Sequence, residues 1–142
     1  LVSLPRQVTL DTIKGKLLLC HGVADDDLRK VWPGTESMPI ERSHLLDDII
    51  LAGTYKYVIN GHMHFRTLIH FEELTLINAG TLKGEHWPGF SVIDFETEQI
   101  TAFEFRNNKI KPVKVRDLTD ETHKIWANTQ SFCGEWDPVM LF

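Results

Sequence analysis

Two short stretches decide how this chain folds: Leu17-Leu18-Leu19-Cys20-His21-Gly22 and Tyr57-Val58-Ile59-Asn60-Gly61-His62-Met63-His64. Each is a short apolar run that ends where glycine and histidine stand together, the signature of a buried strand running into a turn. Between them, from about Ser43 to Ala52, Leu45, Leu46, Ile49 and Ile50 recur at helical spacing. Asp47 and Asp48 lie on the other face, and Gly53 is a stop signal. Strand, crossover helix, strand predicts a parallel pair with a right-handed connection.

Beyond His64 the texture changes. Thr67 to Phe71, Leu74 to Asn78, Gly89 to Phe95 and Ile100 to Phe105 read as short strands separated by small turns, an antiparallel meander. Pro112 to Val115 adds one more strand, and Asp120 to Trp126 suggests a short helix. The class is α/β with a mixed sheet. Residues 1–115 are expected to form the domain. Residues 116–142 form a tail whose Trp126, Phe132, Trp136, Met140, Leu141 and Phe142 pack back onto it or serve a subunit contact. Asp25-Asp26-Asp27, ahead of Leu28-Arg29-Lys30, reads as a helix start, with the rim of a substrate cleft as the alternative.

With 142 residues, 42% of them hydrophobic and 25% charged, the chain can bury a core without disulfides or metals as staples. A net charge of −5 argues against a nucleic-acid backbone as partner, which needs clustered Lys and Arg. No apolar run approaches the ~18 residues of a membrane span, and no signal peptide is visible. The first residue is Leu1, so a piece or a processed product of a longer chain fits as well as a whole one. Cys20 and Cys133 make no disulfide framework and favour a reducing, cytoplasmic setting.

The histidines carry the chemistry. In an extended segment His62 and His64 face the same side, about 7 Å apart, and can grip one metal or reach two adjacent ones. They follow an apolar strand, at the carboxyl end where open-sheet α/β sites form. Gly61 permits a tight turn and close backbone approach. His21 holds the equivalent place one strand earlier, so three imidazoles converge on one sheet edge. The alternative is that each is a strand-end residue bonded to the backbone. Arg66 directly after the pair is a candidate donor to a substrate phosphate, or else a solvated strand residue. His86 lies in a loop within reach of the cleft; His44 and His123 read as surface residues, and His70 as an outer-strand residue without a role.

The order His21-Gly22, helix, Gly61-His62-Met63-His64, strand, Asn78-Ala79-Gly80-Thr81 resembles the calcineurin-like metallophosphoesterases, from about Leu4 to Phe105. The resemblance implies the C-terminal half of an α/β/β/α sandwich with a mixed sheet. It implies two divalent transition metals (Mn, Zn, Fe or Ni, with Mn favoured), His21 and His62 binding the second and His64 the first. It implies that Asn78 to Thr81 form a supporting turn, with Ala79 where Pro is common. Paired metals about 3.5–4 Å apart hydrolyse small phosphodiesters or monoesters in such sites. The family's Asp-x-His, Gly-Asp and Gly-Asn-His motifs do not occur here, so the chain holds part of a site and is expected to be inactive alone. A complementing N-terminal half or a second copy of the chain are the candidate partners. A non-catalytic protein-interaction module on the same fold is the second reading. A cupin-like barrel is disfavoured by the helix between His21 and His62.

Overall fold

Ser43 opens the one α-helix among the described residues, α1 (His44–Ala52), where its side chain accepts a hydrogen bond from Leu46 N, and Gly53 closes it in the left-handed conformation. The computed structural model describes residues 4–134 and 139–141. Leu46 is the fully buried residue of the helix, with Ile49 and Ile50 packed beside it, so the apolar stripe seen in the sequence is the face that meets the sheet.

That sheet has seven strands. Its path runs β1 (Gln7–Thr12), β2 (Gly15–Cys20), β3 (Tyr57–Asn60), β5 (Thr75–Ala79), β4 (Arg66–Phe71) and β10 (Val139–Met140), with β9 (Ile125–Trp126) also on β4. The β2–β3 and β3–β5 pairs are parallel; β1–β2 and β4–β5 are antiparallel. A second, three-stranded antiparallel sheet holds β6 (Gly89–Asp94), β7 (Gln99–Arg106) and β8 (Lys109–Asp117).

Strand periodicity explains the layers. Alternate side chains leave opposite faces, so Leu18, Val58, Leu76 and Ile69 turn toward α1, where Leu46, Trp126 and Phe132 join them. Leu17, Tyr57, Ile77 and Leu68 turn the other way, onto Ile100, Ala102 and Leu118. The central strands are buried because both faces are covered, while β8 is mostly exposed. Helix, mixed sheet and second sheet stack as the layers of an α/β sandwich. Glu98 links them at one corner, accepting from Lys14 Nζ at 2.7 Å and from Tyr57 Oη at 3.3 Å.

Several expectations change. The meander splits: β4 and β5 belong to the mixed sheet, where β5 turns back to pair with β3, and only β6 to β8 form an antiparallel run of their own. The reason is burial, since Leu76 and Ile77 need cover on both faces. An additional strand, β1, pairs along all of β2; Val8 and Leu10 alternate with polar residues there, but the strand is exposed almost throughout. Asp120 to Trp126 is not a helix. Asp120 Oδ1 accepts from Thr122 N and Thr122 Oγ1, the local competition that makes Asp and Thr poor helix formers, and Ile125–Trp126 pairs with β4. Asp25 to Asp27 start no helix either: Val23 and Asp26 exchange backbone bonds at 3.0 Å, and Asp26 Oδ1 accepts from Leu28 N. In the tail, Trp126, Phe132 and Leu141 are buried; Trp136, Phe142 and the side chain of Met140 lie outside the described residues. No described helix is long and apolar enough to cross a membrane.

Candidate metal centre

His21 directly follows β2, and His62 and His64 follow β3; because these strands are parallel neighbours, their carboxyl ends bring the histidines to one edge of the sheet. The His21 and His62 rings meet edge-on with centroids 5.3 Å apart. Gly61 makes this approach feasible: a Cβ there would stand 3.3 Å from His21 Nδ1, a tight contact against the imidazole, and its N–H donates to His21 O at 2.8 Å.

The loop is held from beneath by two asparagines in register on β3 and β5. Asn78 Nδ2 donates to Gly61 O at 2.7 Å and to Asn60 Oδ1 at 2.9 Å, while Asn60 Nδ2 donates to Gly22 O at 3.1 Å. Both are almost fully buried, and together they stitch the ends of three strands. Against that fixed base, His62 and His64 sit at φ 66° and 64°. The left-handed region costs a non-glycine residue roughly 1–2 kcal/mol, and such strain concentrates at functional sites. It also departs from the extended His-x-His geometry expected from the sequence, because the chain is turning rather than continuing the strand.

His86 joins the group, its Nδ1 3.1 Å from Nδ1 of His64 and the two rings 5.0 Å apart. Desolvation, then the charges of His86, Lys83, His62 and His21, hold the His64 pKa below its ordinary value. The neutral imidazole this favours is the form that binds metal. His86 was assigned no particular role by the sequence; its position, six residues past the Asn78-Ala79-Gly80 turn and before Trp87-Pro88-Gly89, is the signal that places it over the site.

Arg66 lies elsewhere. It is 1% exposed, not a solvated strand residue, and its guanidinium donates to Phe103 O of β7. Gly80, at φ 79°, covers its stem, where a Cβ would clash with Arg66 Cγ. The side chain bridges the two sheets. His70 and His123 also depart from their readings: both are largely buried, 3.0 Å apart through His70 Nε2 and His123 Nδ1. His44 is exposed.

The imidazoles suit a transition metal in kind. In number they fall short: among the described residues no group of three His, Cys, Asp or Glu side chains is placed to hold an ion. The residues therefore fit as one part of a donor set.

These features define an α/β sandwich of the calcineurin-like metallophosphoesterase fold. Among solved structures the chain is similar to Vps29 of Entamoeba histolytica in complex with zinc (TM-score 0.55, 14% identity, 82% of this chain and 63% of that one). It is similar to Vacuolar Protein Sorting 29 of Cryptosporidium parvum (0.56, 15%, 80% and 58%). A conserved protein of Streptococcus pneumoniae TIGR4, described as a predicted phosphoesterase, matches at 0.51 and 10% identity over 80% of this chain and 64% of that one. The chain thus spans less than two thirds of the length of these neighbours. No protein-family profile matches its sequence, and no curated protein matches it.

Proposed function

We propose that the chain contributes the histidine half of a two-metal phosphoesterase site acting on small phosphodiesters or monoesters, and that it is inactive without the remaining ligands. The observation that carries this reading is the gathering of His21, His62, His64 and His86 at the carboxyl ends of β2 and β3, on a loop strained at both His62 and His64. When bound, a metal pair supplies a hydroxide nucleophile and charge on the phosphate. The chain's own part is to present neutral imidazoles, His21 and His62 toward one ion and His64 toward the other. Asn78 and Asn60 fix the backbone on which the imidazoles ride. Mn is the favoured metal, with Zn, Fe and Ni compatible. Arg66 acts in this reading by joining the sheets rather than by holding phosphate. A complementing N-terminal half or a second copy supplies the other donors, in a reducing, cytoplasmic setting.

Elemental analysis after exposure to Mn or Zn tests this. The expected result is at most one weakly held ion per chain, lost in His62→Ala. Two tightly held ions per chain, or uptake unchanged in His62→Ala, overturns it. A second reading, a protein-interaction module without catalysis, is favoured by the incomplete donor set and by the likeness to vacuolar protein sorting structures. A complemented, metal-loaded protein that leaves bis(4-nitrophenyl) phosphate and 4-nitrophenyl phosphate intact would select it.

A further inference from the structure

The loop from Thr81 to Gly89 has two faces, divided between adjacent residues. His86 turns to His64. Trp87, 60% exposed, lines a separate cavity of about 380 Å³ with Pro88, Glu104, Phe105 and Arg106. That size lies within the range of small-molecule sites, about 300–1,000 Å³.

Three features give the cavity a chemistry. Trp87 is the outer ring of an aromatic series that reaches inward through Phe65, at 6.3 Å, to the buried Trp32, at 5.8 Å from Phe65. The indole thus has packing behind it. Its backbone is held at φ 49°, a conformation that L residues avoid without a reason. The loop is pinned at its base by Gly89 N donating to Thr81 O at 3.0 Å and, one residue away, by Phe105 N donating to Pro88 O at 2.9 Å. Two aromatic rings with a carboxylate and a guanidinium at the rim suit a flat heterocycle that carries hydrogen-bond donors and acceptors on its edge. An acyl chain would want a continuous apolar trough, whereas the loop beside Trp87 carries Lys83, Glu85 and His86.

We infer that this cavity receives the nucleobase of a nucleoside phosphoester whose phosphate lies at the histidine edge. The inference rests on the phosphoesterase reading and narrows its substrate. Trp87 stacks on the base, an interaction tolerant of base identity. Glu104 and Arg106, which face each other at 3.9 Å, meet the base edge.

Calorimetric titration of the full chain with Mn present tests it, comparing AMP with ribose 5-phosphate, which keeps sugar and phosphate but lacks the base. AMP is expected to bind about tenfold tighter. Trp87→Ala should bring AMP down to the level of ribose 5-phosphate while leaving the latter unchanged, and Trp87→Phe should keep most of the preference. Equal binding of the two ligands to the unaltered chain, or equal loss of both in Trp87→Ala, overturns the nucleobase assignment and leaves the phosphate site standing. No binding of either ligand overturns the assignment, while the reading beneath it is decided separately by whether metal uptake is lost in His62→Ala.

Discussion

The mixed sheet carries a histidine group at each end, and the two are built on opposite plans. At the carboxyl end of β3, His62 and His64 ride a strained loop, partly exposed, and among the described residues the ring nitrogens of His21 and His62 have no hydrogen-bond partner. At the other end, level with Tyr57 and Thr75, His70 is 7% exposed and belongs to a saturated chain. Asp120 can only accept, so His123 donates to it through Nε2, at 3.4 Å. His123 Nδ1 lies 3.0 Å from His70 Nε2, and His70 Nδ1 3.2 Å from the Thr75 hydroxyl, so every ring nitrogen of the pair has a partner. One end leaves imidazole lone pairs for something outside the chain; the other uses every one internally. Histidine content alone does not distinguish a site from a staple. The partners of the ring nitrogens do.

Acid should separate the two ends most strongly. Burial, with the charge of His123 added and that of Asp120 opposing, lowers the His70 pKa from 6.5 to about 4. The unfolded chain therefore takes up a proton that the folded chain refuses. The contribution is complete above pH 6.5 and lost as pH falls toward 4, on the order of 3 kcal/mol in all. Urea unfolding at pH 7 and pH 4.5 should show the drop, and His70→Gln should flatten it; an equally steep drop in the variant would remove His70 as its source.

The asparagine tie is the next largest effect. Asn78→Ala leaves Gly61 O and Asn60 Oδ1 without their donor in a buried setting, at a cost of about 2 kcal/mol. Because the same bonds hold the His62 loop, metal uptake should fall with stability. At the opposite end, Thr75→Val, which removes the single bond to His70, should cost about 1 kcal/mol and spare metal uptake. Equal effects on uptake from both variants would contradict the division between the ends.

The smallest effect has the opposite sign. Glycine accepts φ 66° without steric cost, so His62→Gly should stabilise the fold by about 0.5 kcal/mol, relief of strain slightly exceeding the greater freedom of the unfolded chain. It should also abolish metal binding. Thermal denaturation of this variant at pH 7 decides the point, and a lower midpoint would mean that the imidazole contributes packing which outweighs the strain.

Much of the frame was legible from residue order. The β2–α1–β3 unit, the Ser43-to-Gly53 helix and the gathering of His21 with His62 followed from apolar runs and glycine placement, which are local signals. What escaped reading depended on partners distant in sequence. His70 looks like any strand residue until His123, beyond the whole second sheet, arrives beside it. Arg66 carries a full charge, and nothing next to it in sequence announces that a carbonyl of β7 receives it. In β1, Val8 and Leu10 do alternate with polar residues, but the run is short and exposed and no buried face marks it as a strand. His86 was visible only as a loop histidine, since loop closure, not periodicity, sets it against His64.

The Arg66 bridge has a consequence for how this protein can change over time. Its stem passes where a Cβ on Gly80 would sit, and its guanidinium passes where one on Gly89 would sit. Any side chain added at 80 or 89 is therefore rejected while arginine remains, and the exclusion outlasts the arginine: Gly80 keeps its φ of 79°, and a Cβ on Gly89 would still meet Phe103 O. Random mutagenesis should leave both glycines unchanged even where residue 66 has been shortened, because backbone as well as side chain fills the space between the two sheets.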